Sequence, residues 1–460
     1  MPVRLPLPLS LSLVLPLSII AVLLAAAAHG DDGDRAGWQP EIPKFWDDEA
    51  VQSFEVPLVD GGASPVHVPA DLFYRLPERR IYETYPVYHP DHESEGYLEK
   101  LRQSESAIAF DPAKLKTRED WIRAGELVFD APIMYDALVR IEQVRDREWY
   151  EATGVPVAAD GTVPFLRYVV RRGKVHLGQF SCGTCHTRVM SDGTAVKGAQ
   201  GNFPLNKLDA MDVRAGVAEM GDPKAYVERF APRFKTLYGA PWLPAEEQVH
   251  FDQMTAAEIA DAYEAIPAGV QPRFGASLLY PVVVPDLIGI EDRRYFDRTG
   301  HTLHRDIADL ARYALVQQDV GLFARYGEWI PMGRLPDPEG PPPFRRARYS
   351  DPQLYALGLY LYSLEPPENP NPVDELTARG QKVFEREECW RCHTPPLYTS
   401  NRLTPVKGFD PPATHPQARD VVPLSVGTDA GLALKTRRGT GFYKVPSLLG
   451  VWYRGPFQHS

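Results

Sequence analysis

All four cysteines of the 460-residue chain lie in two five-residue motifs that share one pattern. The first motif, CGTCH, runs from Cys182 to His186, and the second, CWRCH, runs from Cys389 to His393. In each motif two thiols stand three positions apart, on one turn of a helix, and an imidazole follows the second thiol directly. This is the attachment pattern of a c-type haem. The pattern predicts two covalently bound haem c groups, with thioether bonds at Cys182, Cys185, Cys389 and Cys392 and proximal iron ligands at His186 and His393.

Other uses of paired cysteines were weighed against this interpretation. Two C-x-x-C pairs could together hold a tetrahedral zinc ion, each pair could act as a redox dithiol, or the four could form structural disulfides. None of these alternatives requires a histidine directly after the second cysteine of both pairs. Zinc is the main alternative to haem.

The composition bounds the class of protein. A content of 44% hydrophobic and 24% charged residues is typical of a globular chain of two or three domains. The net charge of −11, without a basic run, argues against nucleic acid as a partner. The 45 prolines predict long irregular connections between modest helices.

The first 30 residues have the pattern of a secretory signal. Arg4 supplies a positive start, Leu11 to Ala28 is almost wholly apolar, and the small residues 26–28 offer a cleavage site. An uncleaved membrane anchor is the alternative, because the apolar stretch is nearly long enough to span a bilayer. We expect cleavage, a periplasmic or secreted protein, and no stable membrane insertion afterwards. Export agrees with the haem prediction, since c-type haem is attached outside the cytoplasm.

The rest of the chain divides into an extended N-terminal arm (31–116) and two haem domains (117–365 and 366–460). Thr117 and Asp120 form a capping-box pattern at the start of a helix over 117–130. A second helix starts near Asp374 and ends before the second motif. Both helices contain Gly-x-x-Val-Phe, which indicates two related cytochrome c modules. The fold class predicted is therefore mainly α, with further helices over 136–150, 222–232, 254–265, 303–317 and 352–364 and proline-rich linkers over 335–343 and 366–372.

Three stretches of the chain resemble the di-haem c-type family of bacterial cytochrome c peroxidases, MauG-type tryptophan-oxidising enzymes and rubber oxygenases. They are the two haem motifs, the sequence GELVFDAP over Gly125–Pro132, and the tail GTGFYKVPSLLGVWYRGPFQH over Gly439–His459. The resemblance covers roughly residues 117–460. The long separation of the two motifs is closer to the rubber-oxygenase branch. The resemblance implies a di-haem oxidoreductase, and it also implies a calcium ion.

The distal iron ligands decide whether such a protein is an enzyme, because an iron with an open position binds oxygen or peroxide. No histidine follows His186 until His250, so we expect the first haem to be open and reactive. Closure from a distance by His250, His301 or His304 is the alternative. The last methionine is Met332, which excludes a methionine ligand after His393. The histidine of the family's tail pattern falls on His459, with His415, Tyr443 and Tyr453 as the other candidates.

The peroxidases' Phe-Trp-Asp-Gly-Arg stretch is absent from the sequence, which weakens a peroxidase assignment. The stretch from Gln271 to Gly289 occupies the corresponding place, and within it Arg273 or Phe274 is predicted to line the distal pocket of the first haem. Trp390 and Trp452 could relay electrons between the haems, although most tryptophans near haem are packing residues. We expect peroxide or dioxygen to react at the first haem, with electrons passing through the second to or from a small redox protein or a quinol-linked partner. A non-catalytic electron-transfer cytochrome is the alternative.

Overall fold

The computed structural model of the chain describes residues 38–244, 250–272, 278–317, 320–342 and 344–457. The signal-peptide prediction therefore lies outside the described residues. The helices are α1 Asp48–Ser53, α2 Ala70–Arg75, α3 Tyr97–Arg102, α4 Arg118–Asp130, α5 Ile141–Val144, α6 Arg147–Thr153, α7 Cys182–Cys185, α8 Leu205–Met220, α9 Pro223–Tyr238, α10 Ala256–Glu264, α11 Ile307–Gln317, α12 Asp351–Tyr362, α13 Glu375–Arg386 and α14 Gly431–Leu434. Short 3-10 helices lie at Gly61–Ala63, Pro112–Lys114, Phe251–Gln253, Ile290–Asp292, Val320–Phe323, Cys389–Arg391 and Ala418–Asp420.

The strands are short except in one sheet. They are β1 Pro65–Val66, β2 Thr84–Tyr88, β3 Met134–Tyr135, β4 Thr162–Arg171, β5 Lys174–Gln179, β6 Thr187–Val189, β7 Ala195–Lys197, β8 Val270–Gln271, β9 Val282–Val283, β10 Tyr295–Phe296, β11 Thr302–Leu303, β12 Arg325–Tyr326, β13 Leu403–Pro405 and β14 Phe442–Lys444. Four of them form an antiparallel sheet in the order β2-β4-β5-β3, and the others pair two by two.

The prediction of a mainly α fold is wrong, because the chain is 36% helix and 14% strand and mixes the two classes. The four-stranded sheet is the largest departure. Strands β4 and β5 form a hairpin whose two turn residues, Arg172 and Gly173, both have positive φ. That conformation matches the twist of antiparallel strands, and it favours glycine. The arm is not a separate extended segment either, because its strand β2 is part of the four-stranded sheet, where it pairs with β4.

The main core is built around α12, which is buried along almost its whole length. Helix α4 crosses α12 closely at Gly125, where an added Cβ would lie 2.0 Å from the carbonyl oxygen of Ala356. Trp121 and Phe129 of α4 pack beside this crossing, against aromatic rings of α12. The capping box of Thr117 and Asp120 that the sequence predicted is present at the start of α4.

Most predicted helices are found, with shifted ends. The helix expected over 136–150 is instead two short helices, α5 and α6, separated by Arg145 and Asp146. Helix α8 was not predicted. Helix α13 begins after its Asp374 cap as expected, but it buries no residue. Among the described residues, no helix is long and apolar enough to cross a membrane.

The arm contacts both halves of the protein. The amide of Val56 donates to the carbonyl of His301 at 2.8 Å, and the amide of Val59 donates to that of Gly439 at 2.9 Å. Elsewhere in the arm, Phe45, Phe54 and other aromatic residues join the main core around α12. The arm therefore contacts residues of both predicted haem domains.

Candidate haem sites

The first motif forms the short helix α7, which is held firmly at its start. Ser181 and Thr184 make a reciprocal capping box, so the first free amides of the helix have partners. The hydroxyl of Thr184 also donates to the carbonyl oxygen of Phe165 in β4 at 2.8 Å. The unpredicted sheet therefore positions Cys182 and Cys185 on one turn.

The ring of His186 is oriented by a residue far away in sequence. Its Nδ1 lies 2.9 Å from the carbonyl oxygen of Pro285. Because a carbonyl only accepts, Nδ1 carries the proton and Nε2 keeps its lone pair. Metal-binding histidines usually make such a bond through the nitrogen that does not bind the metal. His186 is thus in the tautomer that an iron ligand requires.

The thiol of Cys182 does not have the property expected of a redox dithiol. Burial, with smaller contributions from the charges of Cys185 and Asp130, raises the pKa of Cys182 to about 12. A reactive dithiol needs a lowered thiol pKa, because the thiolate is the attacking form. None of the four cysteines forms a disulfide. Within the described ranges, no group of three or more Cys, His, Asp or Glu side chains is arranged to hold a metal ion, and the four cysteines do not come together as a zinc site would require. The calcium ion that the resemblance implies stays a prediction.

The second motif has a different setting. Cys389–Arg391 forms a single 3-10 turn that follows Glu388, a residue with φ of 55° and no capping side chain. The Nδ1 of His393 lies 3.1 Å from the carbonyl oxygen of Tyr398, only five residues along the chain. This bond again leaves Nε2 of the histidine free to bind iron. The second motif thus repeats the key feature of the first with a local partner.

A cavity of about 420 Å³ opens beside His393, within the roughly 300–1,000 Å³ that is usual for small-molecule and cofactor sites. Its walls come from both predicted haem domains. Apolar side chains and four cationic ones share the surface, which is formed by Gln200, Val282, Val283, Val284, Pro285, Asp286, Arg293, Tyr295, Asp297, Arg298, His393, Asn401, Lys444, Val445, Pro446, Ser447, Leu448, Val451, Arg454 and Phe457.

The cationic groups suit a flat apolar ligand that carries carboxylates. Arg293 and Arg454 lie 3.6 and 3.8 Å from Asp286, so part of their charge is balanced within the protein. Burial lowers the pKa of Arg298, and no carboxylate balances its guanidinium among the described ion pairs. A buried cation on a cavity wall is costly unless an anion meets it. Porphyrin propionates are such anions, and the residues present therefore fit haem at His393.

The two predicted sites are joined through Pro285. This residue lines the cavity beside His393, and its carbonyl oxygen is the partner of His186. The C-terminal segment approaches the same place. Gln200, three residues beyond the end of β7, accepts from the amide of Gly455 at 3.0 Å and donates to the carbonyl of Pro456 at 3.0 Å. The tail of the second module is therefore bonded to the first.

Several predicted site residues lie outside the described residues: His459, Arg273 and Phe274. The other candidates for the second distal ligand are directed elsewhere. Tyr443 donates to the carbonyl of Asp429 at 2.8 Å, and Tyr453 donates to Asp286 Oδ2 at 3.1 Å. His415 is buried against Phe442. None of these three is among the described residues that line the cavity.

The candidates for distant closure of the first haem also have other contacts. His304 uses both ring nitrogens, with Nδ1 against the carbonyl of Arg293 and Nε2 against the hydroxyl of Tyr362 at 2.7 Å. The Nε2 of His301 is buried 3.9 Å from Glu55 Oε2. His250 is half-buried before the 3-10 helix that begins at Phe251.

The two tryptophans predicted as electron relays do not line the cavity either. Trp390 is 48% exposed, on the turn that forms the second motif. Trp452 packs in a small cluster with Ala199, Ile288 and Tyr453. Their predicted role stays a prediction, and the placement of Trp452 resembles that of a packing residue.

Sequence reasoning missed the residues that orient the histidines and line the cavity: Pro285, Asp286, Arg293, Arg298, Tyr398 and Lys444. One signal was available, since Pro285-Asp286 ends an apolar run of four residues in the stretch that corresponds to the peroxidases' inter-haem region.

Comparison of the chain with protein-family models, curated proteins and solved structures finds no match. Its assignment therefore rests on the residues and geometry described above.

Proposed function

We propose that the chain is an exported di-haem c-type oxidoreductase. The observation that carries the proposal is the equivalent state of the two motif histidines. Each is bonded through Nδ1 to a backbone carbonyl, at 2.9 Å for His186 and 3.1 Å for His393. Each therefore offers Nε2 beside two thiols with the spacing of haem attachment. A zinc site or a redox dithiol would not require this arrangement twice.

Bound haem would supply one-electron chemistry at both sites and, at an iron with an open position, binding of peroxide or dioxygen. The protein's residues bind and orient it. Cys182 and Cys185 fix one porphyrin, and Cys389 and Cys392 fix the other. Pro285 and Tyr398 hold the two imidazole rings in their tautomers. At the second site Arg298 would pair with the porphyrin carboxylates, because no acid balances its charge among the described ion pairs.

We assign the reaction with peroxide or dioxygen to the first site and electron transfer to the second. The contacts of His304 support an open first haem, because both of its ring nitrogens have other partners. The cavity shared by Pro285 and His393 supports electron exchange between the sites, since it brings the second site against the chain that holds His186. A small redox protein or a quinol-linked partner would exchange electrons at the exposed second motif.

The first test is haem content. The full chain is produced in a bacterial periplasm with the haem-attachment machinery, and covalent haem is measured by the pyridine haemochrome assay. We expect two haems per chain. Replacing both cysteines of either motif by alanine should leave one. Retention of zinc instead of haem by the purified protein would contradict the proposal.

The second test separates an enzyme from an electron carrier. Visible and EPR spectra of the oxidised protein are recorded before and after hydrogen peroxide is added. We expect one high-spin and one low-spin iron, with the high-spin signal changed by peroxide and by cyanide. In a His186→Ala variant the high-spin signal should be the one altered. Two low-spin irons that ignore both reagents would reject catalysis and leave an electron-transfer cytochrome.

A further inference from the structure

Tyr453 is a buried tyrosine whose hydroxyl points at a buried acid. Its side chain is 2% exposed, and its hydroxyl donates to Asp286 Oδ2 at 3.1 Å. The acid itself is 5% exposed. A buried phenol needs a hydrogen-bond partner, but any backbone carbonyl would serve that need. A carboxylate differs from a carbonyl because it can also take the proton.

Asp286 is a carboxyl group placed to accept this proton. Burial raises its pKa, and the charges of Arg293 and Arg454 oppose that rise. Burial also raises the pKa of Tyr453, with a further contribution from the charge of Asp286. The phenol therefore stays protonated in the resting protein. If it is oxidised, its proton must leave in the same event, and Asp286 is the acceptor within reach.

The pair is linked to both haem motifs, and Asp286 itself lines the cavity beside His393. Asp286 follows Pro285, whose carbonyl oxygen is 2.9 Å from Nδ1 of His186. On the other side, Arg454 follows Tyr453 and lines the cavity that His393 also lines. One hydrogen bond and a peptide bond thus separate Asp286 from the first iron ligand, and one peptide bond separates Tyr453 from the wall of the second site.

We propose that Tyr453 and Asp286 form a proton-coupled electron relay between the two sites, a role that rests on the proposed function. Tyr453 would give one electron to an oxidised haem held by His186, and its O–H bond would break as the proton moves to Asp286. The neutral tyrosyl side chain would then regain one electron from a reduced haem held by His393, and the proton would return from Asp286. One electron passes from the second iron to the first, and the tyrosine and the acid end unchanged.

Other tyrosines of the region provide a control and a competitor. Tyr443 is buried nearby, but its hydroxyl bonds to the backbone carbonyl of Asp429, which cannot take a proton. Tyr295 does face an acid, with its hydroxyl 2.7 Å from Asp420 Oδ2, and it lines the cavity directly. Tyr295 lacks a described link to the chain that holds His186. Tyr453 is the one with contacts toward both motifs.

The experiment detects the radical itself. The haem-loaded full chain, labelled with ring-deuterated tyrosine, is mixed with hydrogen peroxide, frozen within milliseconds and studied by EPR. We expect a tyrosyl signal that narrows with the label. Tyr453→Phe should lower its yield by about tenfold or more, whereas Tyr443→Phe should leave it unchanged. In the wild type the signal should appear more slowly in deuterated water, because a proton moves with the electron. Asp286→Asn should slow the appearance of the signal about tenfold and abolish this dependence on deuterated water.

Haem content and the peroxide response of the high-spin iron are measured for every variant. These two readouts show that each protein is folded and loaded, and they test the proposed function separately from the relay. A radical that persists in Tyr453→Phe and disappears in Tyr295→Phe would overturn the relay, as would a loaded and peroxide-responsive protein with no tyrosyl signal. A chain without covalent haem would overturn the proposed function and the relay with it.

Discussion

The two haem motifs follow helices of similar sequence that have opposite surroundings. In α4, Gly125, Val128 and Phe129 are buried against the central helix α12. In α13, the corresponding Val383 is 45% exposed, and an added Cβ on Gly380 would meet nothing within 4 Å. The same Gly-x-x-Val-Phe pattern thus gives a core helix in one module and a surface helix in the other. A pattern indicates which face of a helix can be buried, but a packing partner decides whether it is.

The two motif histidines also differ in where their hydrogen-bond partners come from. The ring of His186 is oriented by the carbonyl of Pro285, 99 residues away, whereas the ring of His393 is oriented by the carbonyl of Tyr398, five residues along the chain. The geometry of the first site is therefore a property of the folded first module. The geometry of the second site is set mainly by local sequence. Substitutions in the core of the protein should affect the first site more than the second.

The largest difference in stability between the two modules is expected when the phenylalanine of each Gly-x-x-Val-Phe pattern is replaced by alanine. Phe129 is fully buried, so Phe129→Ala should lower the free energy of unfolding by about 3–5 kcal/mol through lost burial and a new cavity. Phe384 is half-buried, and Phe384→Ala should cost about 1 kcal/mol or less. Denaturant unfolding followed by circular dichroism measures both values. Equal losses for the two variants would contradict the view that only the first helix is packed.

A smaller contrast is expected from acids near the two motifs. Asp130 accepts from Arg167 at 2.8 Å and from Lys197 at 2.7 Å, and it lies against Gly183 of the first motif. Burial opposes its ionisation, yet Arg167 and Lys197 hold the pKa of Asp130 below the ordinary value of 3.8. Asp130→Asn removes the carboxylate that these two partly buried cations share, while Lys197 keeps its ion pair with Glu126 at 2.7 Å. We expect it to lower the free energy of unfolding by about 3 kcal/mol at pH 7.

The pH dependence gives this prediction a sign. Because the native pKa of Asp130 is lowered, its contribution is fully present above about pH 4 and is lost as the pH falls through the native pKa. The gap between wild type and Asp130→Asn should therefore close below pH 3.8. Glu388→Gln is the control at the second motif, where the exposed pair with Arg391 is worth less than about 1 kcal/mol. A gap that stays constant with pH would show that Asp130 acts through packing alone.

Part of the fold follows directly from sequence. The capping box of Thr117 and Asp120 defined the start of α4, and Asp374 defined that of α13, because caps depend on side chains a few residues apart. The hairpin of β4 and β5 could also have been found from its Arg172-Gly173 turn, which follows a run rich in β-branched and aromatic residues. Strand β2 could not, since its pairing with β4 joins segments about eighty residues apart, and no local rule determines it.

The candidate site likewise contains residues that local sequence predicts and residues that only the fold brings together. The cysteine and histidine positions follow from the spacing of the motifs, which local helix geometry fixes. Pro285, Asp286 and Arg298 became visible only in the fold, because a carbonyl oxygen or a cavity wall has no sequence signature. The mixture of apolar groups and four cationic groups around His393 likewise comes from segments that are far apart in the chain. Long-range packing, rather than composition, brings these groups together.

The smallest effects are expected at the two glycines, where they should have opposite signs. In Gly125→Ala the new methyl would lie 2.0 Å from the carbonyl oxygen of Ala356 and 2.7 Å from Cβ of Tyr360. Backbone atoms of a central helix cannot move aside easily, so α4 and α12 must separate. We expect a loss of about 1–3 kcal/mol in the free energy of unfolding. Chemical denaturation measures this loss, and haem retention at His186 should fall with it.

Gly380→Ala makes the same change on the exposed helix α13. The added methyl meets no atom within 4 Å, so only the helix preference of alanine over glycine remains. We expect α13 to gain about 0.5–1 kcal/mol, seen as slower hydrogen exchange of its amides. A destabilised Gly380→Ala would mean that the exposed face is covered in solution, by a helix that crosses it as α12 crosses α4. The sign of this one substitution therefore determines whether the two modules differ in packing or share it.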